Sequence, residues 1–279
     1  MSTARPPVRP SRVSATLLDG LLLFGPPVAF LSAYLLPTSV KLDLALDYMH
    51  PTRLSLYASH FVHFRLPHLL ANVLGYLLAS TTAYLLALVA GERTRFRAAM
   101  LVLLVLDPLV LSVLNLAWPR PRIGYGGSGT VMGVAALVPI LLCLYLGAVT
   151  DGETSVRDAA VFYFLSVAVA GAAPPLGTSG DAVAVIAALG ALFYLREMSL
   201  GLDALRGLPP GRGELLVAAT VVAVGYPAVA FPSDPVVSGG VLNLLVHLLG
   251  YGLAFVPAYL TPGIGTRLLV PDRIAASEP

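Results

Sequence analysis

Eight stretches of this 279-residue chain run for close to twenty residues with few charges among them. They cover roughly 15–36, 67–90, 96–118, 126–149, 157–173, 180–197, 213–231 and 240–260, the fifth and sixth being the shortest. A helix needs about 20 apolar residues to cross the hydrocarbon of a bilayer, and an isolated segment in lipid satisfies its backbone only as a helix. Only 11% of the residues are charged and 57% are hydrophobic, against about 25% charged in a soluble domain. The chain therefore reads as an all-α polytopic membrane protein with about eight transmembrane helices. Between the fifth and sixth stretches, Ala173-Pro174-Pro175-Leu176-Gly177-Thr178-Ser179-Gly180 predicts a turn instead of one long helix.

Basic residues set the expected orientation, because Lys and Arg are retained on the cytoplasmic side. With the N-terminus inside, Lys41, Arg53, Arg65, Arg120 and Arg122 fall outside. Twelve arginines, among them Arg5, Arg9, Arg12, Arg93, Arg95 and Arg97, fall inside. No small-x-small cleavage site follows the first apolar run, so it reads as an uncleaved helix and not a signal peptide. The expected layout is a cytoplasmic tail over 1–14, one membrane domain over 15–260 and a cytoplasmic tail over 261–279, in a cell membrane. The first loop, about 37–66, mixes aromatic and polar residues and is expected in the membrane interface. A net charge of +2 without a basic stripe argues against a nucleic-acid partner. The single cysteine, Cys143, falls in the fourth stretch and allows no internal disulfide.

The polar residues inside these stretches carry the chemistry. Gly126-Gly127-Ser128-Gly129 opens the fourth stretch. Four of the five histidines lie between His50 and His68, and His247 stands alone in the eighth. On the expected topology the second, fourth and eighth helices all run from outside to inside. His68, Asn72, Ser128 and His247 then share one depth in the outer leaflet. His247 lies seven residues after Gly240, about 10 Å in at a rise of about 1.5 Å per residue. Gly126, Gly129, Gly133 and Gly250 would let helices approach closely, as small residues do in membrane bundles. Each feature alone is ordinary helix packing; together they suggest a site.

Gly126-x-Ser128-Gly129, His247-x-x-Gly250 and His63-x-x-x-x-His68-x-x-x-Asn72 resemble the rhomboid intramembrane serine proteases in order, spacing and topology. The likeness covers the second, third, fourth and eighth helices and the first loop. Rhomboids normally have one helix between serine and histidine, so the additional segments are a departure. The resemblance implies a rhomboid-like helical bundle in which Ser128 is the nucleophile and His247 the general base, a dyad needing no aspartate. His68, Asn72 and the Ser128 N–H would form the oxyanion hole. His63 and Arg53 match loop positions of the family, although Thr52 replaces the tryptophan that usually precedes the arginine. Met132 stands one turn after the serine, where the family often has an aromatic ring against the imidazole. Asn243, four residues before His247, could bond the imidazole or cap the helix. The implied substrates are single-span membrane proteins, entering from the bilayer and cut near the outer face, with no cofactor.

Other readings compete with this one. His50, His60, His63 and His68 could ligate a metal, but no cysteine lies near and Asp43 and Asp47 are poorly spaced, so no metal is expected. A rhomboid-like protein that binds or chaperones membrane helices without cutting would typically lack the serine or the histidine. A small-molecule transporter could use Asp107, an acid in the middle of the third stretch. The Asp107-Pro108 pair reads instead as structural, at a proline kink.

Overall fold

The computed structural model describes residues 17–150, 152, 154–172, 177–198, 205–232, 234, 236–237 and 240–260. The expected tails over 1–14 and 261–279 and the turn residues 173–176 lie outside the described residues. The described chain is mostly helical, and each of the eight apolar stretches coincides with helix. By length and composition five segments are sufficient to cross a membrane: Leu17–Tyr34, Leu66–Ala90, Arg93–Leu116, Ser128–Val149 and Arg212–Ala230.

Helix α1 (Leu17–Tyr34) leads into the first loop, which carries α2 (Thr38–Leu44), strand β1 (Leu46–Asp47), α3 (Ser55–Ala58) and a 3-10 turn over Ser59–Phe61. α4 (Leu66–Ala90) follows. Pro67 sits in its first turn, where the missing N–H has no carbonyl to bond in any case. Gly91 ends it at φ 73°, a left-handed cap that suits glycine. The third stretch is two helices, α5 (Arg93–Val105) and α6 (Asp107–Leu116), with the break at Leu106. Pro108 cannot donate to the Leu104 carbonyl four residues back. The Tyr57 hydroxyl donates to that carbonyl instead, at 2.8 Å, so the first loop satisfies what the proline leaves open.

Strand β2 (Ile123–Gly124) precedes α7 (Ser128–Val149) and pairs antiparallel with β1, Leu46 opposite Gly124. Helices α8 (Ala159–Ala172), α9 (Gly177–Glu197) and α10 (Arg212–Ala230) come next. A short hairpin, β3 (Val236–Val237) with β4 (Gly240–Val241), leads to α11 (Leu244–Leu260). α7 is the centre of the bundle. Its apolar span is 83% buried against 22–50% for the other four candidate spans, as expected of a helix that is hydrophobic all round. It packs on α4, α11 and α10, while α8 packs on α9 and α10 and α1 packs on α4. Tyr163 of α8 stacks on Tyr251 and Phe255 of α11, so the additional segments flank the last helix.

Candidate active site

The site is assembled where α4, α7 and α11 begin. A Cβ on Gly250 would run into the Gly129 carbonyl, and one on Gly129 would meet Val246 Cγ1 at 2.5 Å and Leu111 Cδ1 at 2.7 Å. The backbones of α7 and α11 therefore touch between the first turn of α7 and the first two turns of α11, beside Ser128 and His247. Gly126 has φ +101°, and a Cβ there would lie 2.5 Å from His68 Cε1. Both the backbone and the space at this position require glycine. Gly126 N–H also donates to the Ser59 carbonyl at 2.9 Å, tying the segment before Ser128 to the first loop.

His247 is buried, and its Nδ1 lies 2.8 Å from the Ala230 carbonyl oxygen. A carbonyl only accepts, so Nδ1 carries the proton and Nε2 carries the lone pair. That Nε2 is buried and has no hydrogen-bond partner. The Ala230 carbonyl belongs to the last turn of α10, where carbonyls lack intrahelical donors. One end of α10 thus fixes the tautomer of an imidazole on α11. Phe231 meets the same ring edge-on, with centroids 5.9 Å apart.

Ser128 is the first residue of α7 and is half-buried. Its hydroxyl makes no hydrogen bond to His247 Nε2, so the contact expected at hydrogen-bond distance is open here. Such contacts are often long in unliganded sites and tighten on substrate binding. The first amides of α7 have no carbonyl to bond within the helix, and they carry the positive end of its dipole. This favours a negative oxygen beside Ser128.

His68 and Asn72, one turn apart on α4, both face Gly126. His68 Nε2 is buried without a partner and lies within electrostatic range of His247. Asn72 Nδ2 donates to His63 Nε2 at 2.7 Å, while His63 Nδ1–H donates to the Phe61 carbonyl at 3.0 Å. His63 and His68 are in edge contact at 5.0 Å. Burial, followed by the neighbouring His68, lowers the His63 pKa to about 4, so it is neutral and able to accept at pH 7.

Arg53 is exposed; the loop is shaped by Thr52, which exchanges hydrogen bonds with Ser55 at 3.0 Å in both directions. Met132 is buried in the core of α7, and the ring against His247 is Phe231. Asn243 does not reach the imidazole: its Oδ1 accepts from Val246 N–H at 3.3 Å and its Nδ2 donates to Asn115 Oδ1 at 3.1 Å. Asp107 opens α6 just past the break, buried and facing Thr130, and its Oδ2 has no hydrogen-bond partner.

His50 is an exposed partner of Asp47, and buried His60 donates through Nε2–H to Ser112 Oγ at 3.0 Å. Among the described residues no group of three or more His, Cys, Asp or Glu side chains could hold a metal ion. Phe30 of α1 also belongs to the surroundings of the site. It packs on His63 at 5.3 Å and fills the space where Gly127 has no side chain. A lone phenylalanine in an apolar run gives no signal of such a role, and neither does a backbone carbonyl such as that of Ala230.

The arrangement puts a buried, unpartnered imidazole nitrogen and the hydroxyl that opens α7 at the same end of the bundle, the two kinds of group that serve as base and nucleophile. That is the chemistry of acyl transfer. Comparison with protein-family models, with curated proteins and with solved structures finds no match.

Proposed function

We propose that the chain is a rhomboid-type intramembrane serine endopeptidase of the cell membrane, with both termini cytoplasmic, that cleaves single-span membrane proteins near the outer face. The observation that carries this reading is His247, whose Nδ1 is committed to a carbonyl while its Nε2 is buried and unpartnered beside the start of the Ser128 helix. A buried, unpaired imidazole nitrogen costs stability, and a role in proton transfer accounts for it.

In this mechanism Ser128 Oγ attacks the scissile carbonyl and its proton passes to His247 Nε2. The imidazolium is held by the Nδ1–H bond to Ala230. The Ser128 N–H, His68 and the free N–H of Asn72 stabilise the tetrahedral oxyanion; each such donor is typically worth about 10²- to 10³-fold in rate. Collapse returns the proton to the leaving amine. Water, deprotonated by the same nitrogen, then releases the acyl group from Ser128.

The test is purified full-length protein in detergent, given a fluorophosphonate probe and a generic single-span substrate. Wild type is expected to be labelled and to cleave, Ser128→Ala to do neither, and His247→Ala to lose at least about 10³-fold in rate, in line with loss of a triad base. Asp107→Asn is expected to keep cleaving. Equal labelling and cleavage in wild type and Ser128→Ala would sink the proposal, and transport abolished by Asp107→Asn would favour the transporter instead.

A further inference from the structure

His247 sits in the first turn of α11, the part of a helix least held by its own hydrogen bonds. What holds it is a polar cluster at the end of the bundle. Asn243 caps α11 through Oδ1 and donates from Nδ2 to Asn115 Oδ1 at 3.1 Å. Asn115, in the last turn of α6, is buried. Its Oδ1 also accepts from Arg120 at 2.8 Å, and its Nδ2 donates to the Tyr48 hydroxyl at 3.1 Å. The Arg120 guanidinium lies 3.7 Å over the Tyr48 ring. Tyr48 N–H in turn donates to the Arg122 carbonyl at 3.3 Å, on the segment that leads through β2 to Ser128.

We infer that Asn115, Asn243, Tyr48 and Arg120 form a clamp that positions His247 relative to Ser128. This inference rests on the reading of His247 as the base. Asn243 and His247 are one turn apart on the same face of α11, so a shift at the cap is transmitted to the imidazole. The clamp joins α11 to the end of α6, to the segment that enters β2 and to the first loop just after β1, so base and nucleophile are referred to one fixed point. The network centres on buried Asn115 and Tyr48, with Asn243 and Arg120 half-buried around them; such networks favour a single arrangement, and removing one member leaves the others unpaired. A misplacement of about 1 Å can cost about 10²-fold in rate.

The decisive variant is Asn243→Ser in the full-length protein. Serine keeps the cap to Val246 N–H, and serine and asparagine are about equal at that position, but it loses the donor to Asn115. The expected result is an unfolding midpoint close to wild type, KM within about twofold, and kcat and fluorophosphonate labelling both lowered roughly 10- to 100-fold. Asn115→Leu should do the same, whereas Asn115→Asp, which keeps the acceptor for Asn243 and Arg120, should restore most of the rate. Independently of activity, the His247 Nδ1–H proton, observed by NMR in 15N-histidine-labelled protein, should broaden or vanish in Asn243→Ser. Wild-type kcat with an unchanged Nδ1–H signal in Asn243→Ser would overturn the clamp while leaving the protease reading intact. Absence of labelling and cleavage in wild type would overturn the protease reading, and the Nδ1–H signal would then decide the clamp alone.

Discussion

His60 and His63 lie outside the spanning helices, yet both are shut away from solvent, and burial lowers each imidazole pKa to about 4. The unfolded chain takes up protons near pH 6.5 that the folded chain refuses until about pH 4. The stability these two contribute is therefore complete above about pH 6.5 and is lost as the pH falls toward 4. A shift of this size corresponds to roughly 3 kcal/mol per imidazole. The unfolding midpoint in detergent is expected to fall steadily between pH 7 and 4.5. In His60→Gln/His63→Gln it should start lower and fall less steeply; equal slopes would count against this account. Ser128, His247, His68 and Asn72 were legible as a set because their residue types and order are distinctive. The Ala230 carbonyl, Phe231 and Phe30 were not, because what they do depends on where the backbone delivers them.

The seam between α7 and α11 is where local sequence most directly sets geometry. Gly133 and Gly250 read alike in the sequence, as small residues on a smooth helix face. In the structure a Cβ on Gly133 would meet a movable Leu103 methyl at 3.2 Å, while one on Gly250 would run into the Gly129 carbonyl. Overpacking of a fixed contact costs about 1–3 kcal/mol. Gly250→Ala is thus expected to lower the unfolding midpoint by several degrees and Gly133→Ala to leave it nearly unchanged; comparable losses in both would refute the distinction. The break between α5 and α6 is a similar case. Asp107-Pro108 marked the kink, but only the fold supplies Tyr57 to the carbonyl that the proline leaves without a donor.

Across the molecule, α1 is fastened by a charge network that no single segment announces. Asp19 is fully buried and pairs with Arg93 and Arg97 of α5 and with the Tyr84 hydroxyl of α4, the last at 3.1 Å. Breaking a buried pair by removing one partner costs about 3–5 kcal/mol, because the other charge stays behind. Asp19→Asn is expected to lower the unfolding midpoint sharply, with partial recovery in Asp19→Asn/Arg93→Gln. A midpoint unchanged in Asp19→Asn would show that α1 is held by packing alone. In the sequence Arg93 and Arg97 count only as charges expected on the cytoplasmic side, since loop composition bears on orientation and says nothing of partners.

The helical class and the place of each apolar stretch follow from sequence alone, because hydrocarbon demands runs of apolar residues and backbone bonds closed within each run. So does the set of polar side chains that stands out against that background. Which nitrogen of His247 is free, which ring lies against it, and that Asn243 bonds Asn115 and not the imidazole emerge with the packed bundle. Those outcomes depend on contacts between residues far apart in the chain, and they are fixed when α7, α10 and α11 pack, not by the residues within any one of them.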